Sequence, residues 1–137
     1  MTKNLSVALL LVRAVLGVVM FAHGMQKLTE IGIPGVQGML AGIGVPAPEL
    51  LGTAMPYVEI AVGVMLVVGL GTRIAGIITA AMMAVATFGV HLGAGFFAAN
   101  GGYELTLVLA VVALALAFSG PGSLALDAPI RRRSAKD

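Results

Sequence analysis

Seven side chains capable of acid–base or hydrogen-bonding chemistry stand inside or at the ends of oily stretches of this 137-residue chain: Arg13, His23, Lys27, Glu59, His91, Tyr103 and Glu104. Three of them fall within one run, RAVLGVVMFAHGMQKL, residues 13–28. A charged group near the middle of a membrane span costs at least about 2.5 kcal/mol on insertion scales, so such groups turn inward and mark ligand, ion or proton paths. Arginine, lysine, histidine and tyrosine supply hydrogen-bond donors, and histidine or glutamate can hold and release a proton. That combination suits a quinone head group, whose two carbonyls take donors and whose reduction takes up protons from titratable neighbours such as Glu104 or His91. Haem ligation by His23 and His91 is the weaker match, because only two histidines exist and both sit at the rim. With no cysteine in the sequence, thiol chemistry, disulfides and thiolate metal sites are excluded. No spacing of His, Asp or Glu argues for a metal site either. No cofactor is therefore intrinsic, and a redox role requires a bound quinone or quinol or a partner protein.

The elements that must position these groups are membrane helices. The chain is 59% hydrophobic and 10% charged, against about 25% charged for a soluble domain, and its mean hydropathy is +1.06. Four segments approach the roughly 20 apolar residues that a span needs: about 5–28, 50–70, 72–91 and 103–119, the last being short. Backbone polar groups in lipid must be satisfied internally, so the expected architecture is all-α, an integral membrane four-helix bundle forming one domain over residues 1–137. The first apolar run is too long for a secretory h-region and lacks a small-x-small cleavage site, so it reads as a retained span. Between spans one and two, Val36, Met39, Leu40 and Ile43 recur at helical spacing, which predicts a short interfacial helix in the first outer loop. GLGTR, residues 69–73, reads as a tight hairpin, and GAGFFAANGG, residues 93–102, as a glycine-rich loop.

Basic residues set the orientation. Lys3, Arg73, Arg131, Arg132, Arg133 and Lys136 collect on one side and Lys27 alone on the other, which predicts cytoplasmic N- and C-termini. The basic tail, residues 127–137, reads as a topology anchor that favours anionic lipid. One short basic run and a net charge of +2 do not make a nucleic-acid surface.

Depth and helical angle then sort the polar residues. Arg13 lies some 12 Å into the first span at about 1.5 Å per residue, and Glu59 lies near mid-depth of the second. Those depths permit an ion pair, direct or bridged by water, whose plain reading is a lock between two helices. Gly17, Met20, Gly24 and Lys27 share the face of Arg13 within about 40°, with His23 on its flank; Gly52, Gly63 and Leu66 share the face of Glu59. A second group, His23, Lys27, His91, Tyr103 and Glu104, comes to similar depth at the outer ends of three spans. The plain alternative is that Lys27 snorkels, Glu104 caps the fourth helix and the histidines donate to loop carbonyls. The eight methionines read as ordinary core or lipid-facing residues.

The order and spacing of these elements resemble the DoxX family of small bacterial membrane proteins. The resemblance is carried by Arg13 and Gly17, then His23, Gly24 and Lys27 in span one; by GVPAP in the outer loop; by Glu59, Gly63 and GLGTR; and by GGYELTLVL leading to GPGSLALD, residues 120–127. It covers nearly the whole chain. It implies a four-helix protein of the bacterial inner membrane, with some relatives linked to quinol oxidation or thiosulfate:quinone oxidoreduction and others to thiol or oxidative-stress complexes. The expected function is an accessory or quinone-interacting subunit of a membrane redox system, an oxidoreductase subunit rather than a complete enzyme. Two other readings stay open: an assembly subunit docking a membrane or soluble partner, and a small proton-coupled transporter using Glu59 and Arg13, for which a homo-oligomer would supply more spans.

Overall fold

In the computed structural model, which describes residues 2–128, helix α1 (Lys3–Gln26) starts where the Thr2 hydroxyl accepts the Leu5 amide. It runs without interruption through leucine, alanine, valine and methionine, then loosens into a π-turn, Lys27–Ile31, that ends at Gly32. Helix α2 (Ile33–Gly42) follows, and α3 (Pro48–Val68) begins at a proline, whose missing N–H costs nothing at a first helical position. Helix α4 (Thr72–Val85) passes into a second π-turn, Ala86–His91, and a 3₁₀ turn, Leu92–Ala94. A further 3₁₀ turn at Ala98–Asn100 precedes α5 (Glu104–Ser119), which stops at Gly120. The basic run Arg131 to Lys136 lies outside the described residues.

Three helical stretches are long and apolar enough to cross a membrane: Lys3–Ile31 with 29 residues, Pro48–Val68 with 21 and Thr72–Ala94 with 23. Helix α5 is apolar but has only 16 residues. Val15, Ile74, Phe88 and Phe118 are exposed on the outside of the bundle, as lipid-facing residues are. The chain is a multi-pass membrane protein.

Lipid offers no hydrophobic drive for helices to associate, so close van der Waals packing must hold them. The bundle consists of two tightly apposed pairs, α1 on α3 and α4 on α5. At the first contact a Cβ on Gly17 would fall 2.6 Å from the carbonyl oxygen of Gly63, so only glycine lets these backbones approach. Leu16, Met20, Val62, Leu66, Ala75, Met83, Ala113 and Leu116 fill the space between the pairs. The faces expected to turn inward do so: Arg13, Gly17, Met20 and Gly24 are buried on α1, and Gly52, Glu59, Gly63 and Leu66 on α3. The helix expected in the first loop is present, and it packs Val36 and Leu40 into the bundle while its Gln37 side chain donates to Glu49 O and Thr53 Oγ1.

The expected Arg13–Glu59 ion pair does not form. Gly17 lies against Gly63 and Gly24 against Pro56, and that register brings Arg13 level with the end of α3, about two turns from Glu59. There the buried guanidinium donates from Nη1 to Leu66 O at 3.0 Å and Val67 O at 2.6 Å, and from Nη2 to Leu124 O. The last carbonyls of a helix lack intrahelical donors and carry its negative dipole end, so a cation satisfies both needs at once. The segment after α5 completes this clasp. Asp127 accepts Gly71 N at 2.9 Å and Thr72 N at 3.1 Å, capping α4. Its own amide donates to Gly69 O, and Ser123 and Ser6 join through their hydroxyls at 2.7 Å. Gly69 has φ +74°, and a Cβ there would strike Arg13 and Ala125. Arg13, GLGTR and GPGSLALD thus form one structural joint at one end of the bundle.

Candidate functional site

Toward the other end of the bundle, the polar residues gather around a buried ion pair. Glu59 is 1% exposed, and both its carboxylate oxygens accept from Lys27 Nζ, at 2.9 and 2.8 Å. Lys27 is the first residue of the π-turn after α1. Side chains on a helix lean toward its N-terminus, so the lysine stem runs back along the bundle and brings its ammonium to the level of Glu59. The plain expectation of a lysine snorkelling outward is corrected: its side chain is 12% exposed and turned inward.

Beside this pair lies a cavity of about 230 Å³. His23, Lys27, Glu59 and His91 all line it, so four of the seven candidate residues converge. His91 is the last residue of the second π-turn. Its Nδ1 sits 2.7 Å from Gly101 O. A carbonyl only accepts, so Nδ1 carries the proton in that bond, leaving Nε2 as an acceptor in the neutral ring and a donor in the charged one. His23, one turn before Lys27, contributes a second imidazole from an exposed position at the cavity wall. Both π-turns therefore deliver a polar cavity residue, and such bulges recur at functional sites.

The remaining three candidates stand elsewhere. Arg13 belongs to the clasp. Glu104 accepts the Ala98 amide at 2.7 Å, tying the 3₁₀ turn to the start of α5 rather than capping its own helix. Tyr103 packs edge-on against Phe96, with ring centroids 5.6 Å apart. These two shape the loop that brings Ala98, Gly101 and Gly102 to the cavity but do not themselves line it.

Several lining residues escaped the sequence. Met20, Met39, Met55 and Met83 come from four different helices to one cavity; Met20 lies on the face of Arg13 and Lys27 and Met39 on the stripe that predicts α2, while Met55 and Met83 carried no signal. Thr106 also lines it, held 2.8 Å from the Thr87 hydroxyl, which itself donates to Met83 O. Flexible, polarizable methionine walls adapt to a flat ring and make favourable sulfur–aromatic contacts. The site thus combines an apolar, adaptable wall, a neutralised charge pair and two imidazoles able to take up or release protons.

Compared with known families, residues 8–92 match DoxX. A protein of Bacillus subtilis (strain 168) named "Putative oxidoreductase CatD" is 32% identical over 127 residues, 93% of this chain and 90% of the relative. An uncharacterized protein of Haemophilus influenzae is 36% identical over 118 residues, 84% of each chain. No solved structure matches the chain significantly.

Proposed function

The chain belongs to the DoxX family, and from that premise we propose that it is a quinone-interacting subunit of a membrane redox system, with the head group held in the cavity bounded by His23, Lys27, Glu59 and His91. The observation that carries this reading is the buried Lys27–Glu59 pair facing an otherwise apolar cavity beside two histidines. The relative named as an oxidoreductase supports the redox class.

The residues present fit such a group. A cavity of about 230 Å³ is small beside the 300 Å³ or more of drug-sized sites, and suits a single substituted ring. Lys27 has three N–H donors and spends two on Glu59, leaving one for a ligand carbonyl. Glu59 holds that ammonium in place and keeps the site near neutral. His91, fixed through Nδ1 by Gly101 O, offers Nε2 to a second oxygen and can pass a proton there. His23 supplies a second proton-holding group from the exposed edge. A bound quinone supplies two-electron chemistry with uptake of two protons. The sequence has no cysteine to carry electrons, and this reading assigns their supply to a partner protein.

In this reading the protein sits in the bacterial inner membrane with Lys3 and Arg73 at the cytoplasmic end and the cavity toward the outer one, following the bias of basic residues. The short helix α2 then lies at the outer interface and roofs the cavity through Met39 and Leu40, with Ile43 just beyond its end. Native mass spectrometry of protein purified from its own membranes tests the assignment. A quinone bound one to one, and absent from Glu59→Gln protein, is expected; wild-type protein carrying no quinone after mild extraction refutes it.

A further inference from the structure

We infer that the ligand is a membrane-resident quinone whose hydrocarbon tail leaves the cavity sideways, between α3 and α4 beneath the end of α2. This rests on the head-group assignment above. A groove of about 260 Å³ lies there on the flank of the bundle, and every residue lining it is apolar, including Val58, Ile78 and Met82. Leu40, Met55 and Val85 line both this groove and the cavity.

Three observations commit the groove to the tail of the cavity's own ligand. First, three residues line both spaces, one from each of three helices, and one of them, Met55, has the flexible side chain that adapts most readily to a neighbour. Second, the bundle is built as two tight pairs, α1 with α3 and α4 with α5, so α3 and α4 meet across the looser seam. Third, Val85 is the last α-helical residue before the π-turn that carries His91, so the wall and the polar end of the site share one backbone irregularity. A ring lying against Lys27 and His91 has its apolar edge toward Met55 and Leu40, and a substituent there runs into the groove. The ligand then exchanges within the plane of the bilayer, and a tail-less quinone from water uses only part of the site.

Photolabelling tests this in liposomes of phosphatidylethanolamine and phosphatidylglycerol containing the full chain. The probe is a ubiquinone analogue with a diazirine on an alkyl tail, and the competitor is the same quinone ring without a tail. Labelling is expected on the peptides of α3 and α4 that line the groove, to be displaced by the competitor, and to be lost in Ala81→Trp, where the indole fills the groove. In that variant the tail-less ring still binds with wild-type affinity, because the cavity is untouched. Saturable labelling on another face, or undiminished labelling in Ala81→Trp, overturns the tail route and leaves the head-group assignment standing. Groove labelling that the competitor does not displace identifies an ordinary lipid site and also overturns it. No saturable labelling, with no binding of the tail-less ring, overturns both.

Discussion

Removing Lys27 should damage this protein far more than its place near the end of a helix suggests. In Lys27→Met the Glu59 carboxylate, 1% exposed, loses the donor that both of its oxygens use. Breaking a buried ion pair from one side costs about 3–5 kcal/mol, because the remaining charge is left uncompensated. Glu59→Gln is milder, about 1–3 kcal/mol, since the amide oxygen still accepts one hydrogen bond from the ammonium but no longer holds it with a charge. Replacing both, Lys27→Met with Glu59→Leu, removes the desolvated charges and brings stability back to within about 1 kcal/mol of wild type. Equilibrium unfolding in mixed detergent and SDS micelles, followed by far-ultraviolet circular dichroism, gives the free energies of wild type and the three variants, and Glu59→Leu alone closes the cycle that yields the coupling of Lys27 and Glu59. The double replacement should regain the fold but not the ligand, which separates the pair's structural part from its part in binding. A loss below about 0.5 kcal/mol in Lys27→Met, the size of a surface effect, refutes the reasoning.

Three other substitutions probe the frame that holds the site. Arg13→Leu strips the donors from three carbonyls and should lower stability by about 3 kcal/mol or more, measured by the same unfolding, while the ring still binds to whatever protein folds. Asp127→Ala uncaps α4 and should cost about 1 kcal/mol, with faster hydrogen exchange at Gly71 and Thr72 as the local check. Gly63→Val drives a side chain into the Gly17 carbonyl and Phe21 and should cost about 1–3 kcal/mol as α1 and α3 separate; a fully stable variant would mean that the close backbone approach does not exist.

The sequence announces the helices because long apolar runs broken by Gly–Pro clusters leave few alternatives in lipid. It also announces which faces turn inward: Arg13, Gly17, Met20 and Lys27 lie on one stripe, and Glu59 and Gly63 on the facing one. What it hides is register. Arg13 and Lys27 lie on the same stripe, and either is a plausible partner for Glu59 until the Gly17–Gly63 contact fixes which turns stand opposite. Lengths counted from helix ends cannot replace that contact, and the lysine stem reaching back toward its helix N-terminus shifts the level further. The π-turns at Lys27–Ile31 and Ala86–His91 are equally silent, since no residue type demands an extra residue in a turn. Tyr103 and Glu104 share the depth of His91, which by sequence groups them with the site, yet their side chains face the 3₁₀ loop. The methionine wall draws one residue from each of four helices, so no local pattern could reveal it.

Isothermal titration of the purified protein with a tail-less, water-soluble quinone tests the central claim most directly. Wild-type protein should bind one equivalent, Glu59→Gln and Lys27→Met/Glu59→Leu should bind at least about tenfold more weakly, the equivalent of one lost charge-assisted hydrogen bond, and Asp127→Ala should bind as wild type does. Equal affinity across all four proteins, or no binding by any, would contradict the assignment of the cavity at Lys27 and Glu59 as a quinone site.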